Sequence, residues 1–484
     1  YRRRFGGAAF FKTLLTIPLV LPTIVVAIIF ASFRNAHEFY SSFGMSFIAE
    51  ASIYWIIAAH VFVNLAIVVR TVGGFWSSLE PGIEESAELA GAGRIRSFIS
   101  VTAPILKPAI VSAAALTFLY CFSSFGIVLL LGGGLINSVE TEISIAATQF
   151  LDLQTASALA IVQTVVTVIA FGLSEVFSRG SVGLEQTDPV EPAKSLDRRD
   201  RPALALTWFI GIAMVAIPIA LVVVRAFQMP QGQADISQSL LGFSFDNFIN
   251  LASRGDHDLL NITVWQAAQN SLRNLGLATI TAVTLGTLVA YLASRVTTGR
   301  TLGALNRILD SVFLLPMGIS SVVLGFGYLI TFGTPALDIR SHWIALPIVQ
   351  ALMAMPLVIR LVYPALISIE REQLESAETS GATAGQIWRH IELGLISTSF
   401  KTAVAFAMIV SIGEFGAASL LVSGDQATLS TVLYQLISRP GSTNYGMAMA
   451  VATLLIALTA ALVGAVNLKF GRADLKFKRD ARIV

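Results

Sequence analysis

Charge is what this chain has least of. Only 13% of its 484 residues are charged while 55% are hydrophobic, and the mean hydropathy is +0.74. Soluble chains carry roughly a quarter charged residues, so about half the usual charge is missing. That is too little polar residue to cover a core this apolar, which excludes a large soluble helical protein. Cysteine is also scarce: Cys121 stands alone inside an apolar run, so no disulfide framework is available. The five histidines, His37, His60, His257, His342 and His390, are scattered without metal-ligand spacing. No lysine follows a glycine, so the GxxxxGK[ST] loop that cradles phosphates is absent. No paired carboxylates, histidine cluster or nucleophile arrangement stands out, and no catalytic residue, metal or cofactor is expected in the chain. The net charge of +2 does not point to nucleic acid, and no such partner is expected.

What is present is a series of apolar runs, each about 20 residues long, the length of a membrane-spanning helix. Ten are read, at about 13–33, 53–71, 109–131, 155–177, 203–226, 270–293, 309–332, 343–363, 400–421 and 445–468. With the N-terminus cytoplasmic, 26 of the 32 lysines and arginines fall in cytoplasmic segments, as the positive-inside rule requires. The six on the other side are Arg34, Arg225, Arg254, Arg273, Arg340 and Arg439. Both ends of the sequence are therefore expected in the cytoplasm.

The chain repeats itself. Shifting by 290 places Glu85, Ala87, Glu88 and Gly91 on Glu375, Ala377, Glu378 and Gly381. The same shift places Arg70 on Arg360, Phe125-Gly126 on Phe415-Gly416 and Ala158 on Ala448. The expected fold is an all-α polytopic membrane protein of two parallel-repeat halves. The first half covers 1–177, a polar cytoplasmic linker 178–202, the second half 203–468 and a basic cytoplasmic tail 469–484. The second half holds six spans and the first four, so about two spans are expected to be missing before Leu14.

Two polar segments, 84–104 and 374–394, interrupt the apolar runs at equivalent places. Glu84, Glu85 and Glu88 crowd the first turn of an expected helix, with Arg94 and Arg96 later, as the helix dipole favours. Pro81-Gly82 is expected to break the chain before it, and Gly91 to allow a turn or close backbone approach. A short flat helix here would suit a cytosolic partner.

The first segment reads Glu85-Ser86-Ala87, three residues, Gly91, nine residues, Val101, Thr102, Ala103-Pro104. The second reads Glu375-Ser376-Ala377, three residues, Gly381, nine residues, Ile391, Glu392, Leu393-Gly394. Both resemble the cytoplasmic signature of the permeases of binding-protein-dependent ABC importers: Glu-Ala-Ala, three residues, Gly, nine residues, Ile, one residue, Leu-Pro. Ser replaces the middle Ala twice, and the second copy loses the Pro, and with it the warrant for a kink after the second coupling helix. The resemblance implies a type I importer-like fold in which Glu85, Ala87, Gly91 and Pro104, with Glu375, Ala377 and Gly381, couple to ATPase subunits. It implies a fused permease serving two copies of an ATPase that binds ATP and magnesium, an external solute-binding protein, and a place in the bacterial cytoplasmic membrane.

Fused permeases of this layout occur among thiamine and ferric-iron importers, with sulfate, molybdate and phosphonate permeases as relatives. The stretch Phe122–Gly134 followed by Val139–Ile143 is more similar to the thiamine branch; ferric iron and another small solute stay open. Glu414 is the one acid read well inside a span, about 20 Å along a helix from Lys401 at ~1.5 Å per residue. An intramembrane acid is either a pathway or gate residue or a hydrogen-bonded structural one; its repeat mate is Ser124. His60 with Asn64, and Gln163, are read as interhelical hydrogen bonders. An ion-coupled secondary transporter is the rival class, but it needs a midplane ion network to which only Glu414 could contribute.

Overall fold

The computed structural model describes residues 3–4, 7–34, 52–79, 81–185, 194–195, 201–228, 242–295, 319–333, 342–422 and 424–480. Among these, seven helices are long and apolar enough to cross a membrane, or up to nine when each of two bent pairs counts as one span. They match nine of the ten expected spans. The tenth, 309–332, falls mostly outside the described residues, and only its helix Ser321–Phe332 is seen. Much of the linker, 186–193 and 196–200, and the tail end 481–484 also lie outside them. Among the described residues, Arg3–Arg4 pairs in parallel with Lys194–Ser195, and Gln228 and Phe243 form an isolated bridge.

Three expected spans are not continuous helices. Residues 13–33 form two helices, Thr13–Val20 and Thr23–Arg34, bent by 103°. The break falls at Leu21-Pro22, where proline lacks its N–H and pushes the preceding residue out of helical geometry. The run 400–421 also breaks: helix Ser397–Gly413 stops at Glu414, and a short helix Gly416–Leu421 follows. In the other repeat, helix Ala103–Phe122 stops before Gly126–Leu131.

The repeat is written into the backbone. Helices Pro81–Leu89 and Arg371–Thr379 differ by 290 at both ends, as do Arg94–Ser97 and Ala384–Ile387. The single π-helical turns Phe98–Thr102 and Trp388–Glu392, and the short helices Gly126–Leu131 and Gly416–Leu421, keep the same offset.

The chain divides into two compact units: Tyr1–Leu19, Val26–Glu142 and Ser157–Leu221 in one, Val20–Val25, Ile143–Ala156 and Val222–Val484 in the other. The division does not run along the repeat. Helix Arg201–Gly211 belongs with the first unit, where Trp208 meets the rings of Phe10 and Phe11. In that unit Ser52–Ser78 lies on Ala103–Phe122, joined by Phe75, Leu106 and Ala109. Asn64 donates to the sulfur of Cys121 across this pair at 3.5 Å, as an interhelical bonder should, whereas His60 bonds within its own helix to the Ile56 carbonyl.

In the second unit, helix Val264–Arg295 packs on Ala345–Ile367 and Ser397–Gly413. The seam is built largely of small residues, among them Ala278, Ala282, Ala354, Ala403 and Ala407, which let backbones approach closely. Gln350 and Ser411 exchange two hydrogen bonds of 3.0 Å across it. Ser411 is 290 residues past Cys121, so one polar tie recurs between equivalent helices with different chemistry. On Leu153–Glu185, Ile161, Val165 and Ile169 form an exposed stripe four residues apart, the face an amphipathic span presents to lipid.

Gly325 tests this packing. A Cβ there would lie 2.8 Å from the Ala417 Cα, whereas one at Gly327 would meet nothing within 4 Å. Gly325→Ala should lower stability by about 1–3 kcal/mol through overpacking, while Gly327→Ala should leave it unchanged or slightly raised. Thermal unfolding followed by a thiol-reactive dye on Cys121 measures both; equal effects would contradict the close approach.

Candidate functional site

The two polar segments have a common local design. Pro81 opens the first helix instead of breaking the chain ahead of it, because a first-turn proline gives up an N–H that has no partner in any case. Glu84 lies in the first turn, as the dipole favours. The helix ends at Leu89, however, so Arg94 and Arg96 fall in the first turn of the next helix, the wrong end for a favourable dipole. The expected benefit from the two arginines is absent.

The spacing Ala, three residues, Gly has a direct backbone cause. Gly91 has φ +89° and Gly381 φ +86°, the left-handed conformation that closes a helix and that glycine adopts at least cost. The next N–H turns back on the helix: Ala92 donates to the Ala87 carbonyl at 3.0 Å, and Ala382 to the Ala377 carbonyl at 3.0 Å. Each is the six-to-one bond of a Schellman cap. Neither glycine has an atom within 4 Å of an ideal Cβ, so the turn, not a close approach, requires it.

Beyond the backbone the segments differ. In the first, Glu84 accepts from the Trp76 indole at 3.1 Å and from the Thr102 hydroxyl at 3.0 Å, tying the polar helix to the span before it and the turn after it. In the second, Glu375 accepts from Arg371 at 2.9 Å on an exposed face, where such a pair adds little stability. The Glu85 side chain lies outside the described residues. Leu89, 89% exposed, and Ile95, 78% exposed, stand out on the first segment together with Ile99. Their counterparts are Thr379, Gly385 and Arg389, so the two outward faces differ in chemistry. Sequence reasoning passed over these three residues, although apolar side chains inside a polar segment are a readable signal.

The exit from each segment reverses what proline predicts. Ile95–Phe122 passes Pro104 and Pro108 as one continuous helix, whereas the second copy, with Gly394 in place of the proline, is bent by 78° between Ala384–Leu395 and Ser397–Gly413. Pro104 lies inside that continuous helix, two residues past the π-helical turn Phe98–Thr102, where the regular i→i−4 bonding is already interrupted. At the bend, Ile396 leaves helical geometry (φ −83°, ψ 2°) two residues after a glycine.

Glu414 occupies a helix break, not a helix interior, and is 6% exposed. Its carboxylate accepts from the Ala417 N–H at 2.6 Å and the Ala418 N–H at 3.1 Å, capping Gly416–Leu421. Ser124, its repeat mate, sits buried at the equivalent break, and its hydroxyl has no hydrogen-bond partner among the described residues. A second buried acid escaped the sequence reading: Glu140, in Val139–Thr148, accepts from the Gln163 amide at 3.3 Å, which makes Gln163 the interhelical bonder expected. Glu140 was hidden because its helix is short and carries Glu142 in the same turn.

The left-handed glycines can be tested directly. Gly91→Ala should cost about 1–2 kcal/mol and Gly91→Asn less, since asparagine tolerates that conformation better. Limited trypsin cleavage after the exposed Arg96 should accelerate in the order Gly, Asn, Ala; equal rates for Asn and Ala would contradict the cap.

Comparison with known proteins accounts for this geometry. The family described as "Binding-protein-dependent transport system inner membrane component" matches residues 2–181 and 282–470, one match per repeat. The chain is 26% identical over 471 residues, 94% of its length, to 80% of the thiamine transport system permease protein ThiP of Brucella suis. It is 27% identical over 456 residues to ThiP of Escherichia coli, covering 90% of this chain and 78% of that protein. The sulfate transport system permease protein CysT of Salmonella typhimurium is 34% identical over 145 residues, 30% of this chain and 52% of CysT. A duplicated helical fold, multiple apolar spans and a family match in each half lead to one conclusion: the chain belongs to the inner-membrane components of binding-protein-dependent transport systems, the multi-pass permeases of ABC importers that work with an ATPase and a substrate-binding protein.

Proposed function

We propose that this chain is the permease of a thiamine importer. The observation that carries the cargo is the similarity to ThiP across 94% of the chain, both halves included, against 30% for CysT. Two copies of an ATPase subunit dock on it, one at each polar segment, and an external binding protein delivers thiamine to the outer side. Both ends of the sequence are cytoplasmic, on the charge asymmetry of the loops. The coupling residues are Glu85, Ala87, Gly91 and Pro104 in the first segment and Glu375, Ala377 and Gly381 in the second. The exposed Leu89, Ile95 and Ile99 give the first docking face its apolar contact.

Glu414 and Ser124 are proposed as pathway or gate residues. A helix break in a membrane leaves peptide groups that lipid cannot satisfy, and such breaks line cavities or bundle interiors. Glu414 satisfies two of those groups while holding a carboxylate at the break.

Uptake into proteoliposomes with the cognate ATPase and binding protein tests the cargo. Radiolabelled thiamine should accumulate only with ATP; accumulation of sulfate or ferric iron instead would overturn the assignment, and ATPase-free thiamine uptake would make the chain a secondary transporter. Glu375→Lys should release the ATPase subunit or abolish its stimulated activity without changing membrane insertion; co-purification at wild-type yield with normal stimulation would count against the coupling role. Glu414→Gln should lower uptake about tenfold, the worth of one charged hydrogen bond. Unchanged uptake and coupled ATPase activity would leave Glu414 a structural cap only.

A further inference from the structure

The two polar segments are tied to the spans by different residues. At the end of the second π-helical turn, Glu392 is buried and its Oε1 pairs with Nη2 of Arg295, the last residue of helix Val264–Arg295. The pair is lopsided: the arginine side chain is 42% accessible and the glutamate 3%. The other carboxylate oxygen, Oε2, has no hydrogen-bond partner among the described residues. One turn back, Tyr291 meets Trp388 edge-on, with ring centroids 5.1 Å apart, and the Arg295 guanidinium lies 4.9 Å from the Tyr291 ring centre. In the first repeat the counterpart of Glu392 is Thr102, which bonds to Glu84 within its own segment. The counterpart of Arg295 is Phe5, which lies outside the described residues and carries no charge.

We propose that Arg295 and Glu392 are positioning residues that pass movement of the second coupling segment to helix Val264–Arg295. This rests on the reading of 374–394 as a coupling site. The physical reason is that a buried carboxylate cannot part from the cation it pairs with among the described residues without a large desolvation penalty. A displaced π-helical turn, a place where helices shift register, therefore carries the arginine with it. The edge-on Tyr291–Trp388 contact keeps the two elements in register during that movement. From Arg295 the helix runs along the alanine seam to Ala345–Ile367 and Ser397–Gly413, the span that ends at Glu414. The first segment, held by Glu84 to Trp76 and Thr102, is instead tied to the span Ser52–Ser78. Two copies of one ATPase thus act on two unlike linkages.

Hydrogen exchange on the full chain assembled with its ATPase subunits in lipid nanodiscs, nucleotide-free against ADP–vanadate, tests this without reference to cargo. In the unaltered protein, trapping should change exchange in both 371–392 and 288–295. In Arg295→Gln the response at 371–392 should persist while that at 288–295 falls about fivefold or more, the range of ordinary coupling energies. Arg295→Lys, which keeps the charge, should retain the response. The neutral pair Arg295→Gln/Glu392→Gln, which leaves no charge unpaired, should lose it. A full response at 288–295 in Arg295→Gln and in the neutral pair would overturn the proposal. No response at 371–392 in the unaltered protein would overturn the coupling-site reading itself, and this inference with it.

Discussion

A peptide group without a hydrogen-bond partner costs several kcal/mol in hydrocarbon, and this penalty governs the whole molecule. It forces the apolar runs into helices. It also decides how the helices may stop. Where Ser397–Gly413 ends, the carboxylate of Glu414 takes up two of the N–H groups of the following helix. Where Pro81–Leu89 and Arg371–Thr379 end in the polar segments, a left-handed glycine lets the chain fold back on its own carbonyls. The spacing that marks the family is in this sense the spacing of a helix cap: the alanine, two residues before the helix end, supplies the carbonyl that takes the six-to-one bond, and the glycine the reversal.

Duplication preserved that backbone and released the side chains. The helices and π-helical turns of the two polar segments keep their bounds to the residue across the 290 offset, yet the contacts holding them have diverged. Cys121 accepts from Asn64 where its counterpart Ser411 pairs with Gln350, and Thr102 bonds to Glu84 where its counterpart Glu392 pairs with Arg295. The conserved quantity is a polar tie at a given junction, which any suitable donor and acceptor can supply. An equal backbone with unequal ties joins the two polar segments to the rest of the chain by different contacts.

The fold class, nine of the spans and the matching helices of the two polar segments were legible in the sequence, because each rests on a local signal: apolar length or fixed spacing. It did not carry the bends. Proline at 104 suggested a kink where the helix is continuous, the residue following closely on a π-helical turn, while Gly394 and Ile396 gave no comparable warning of the 78° bend. Glu414 read as an acid inside a span since the capping role depends on a break that hydropathy averages away. Glu140–Gln163 and Arg295–Glu392 join residues 23 and 97 apart, and no periodicity links such positions.

One chain with two complete coupling segments should hold two motor subunits by itself. Native mass spectrometry of the complex extracted in mild detergent measures this most directly. The account predicts one copy of this chain with two copies of the ATPase. A complex holding two copies of this chain, or one copy bound to a single ATPase, would contradict it.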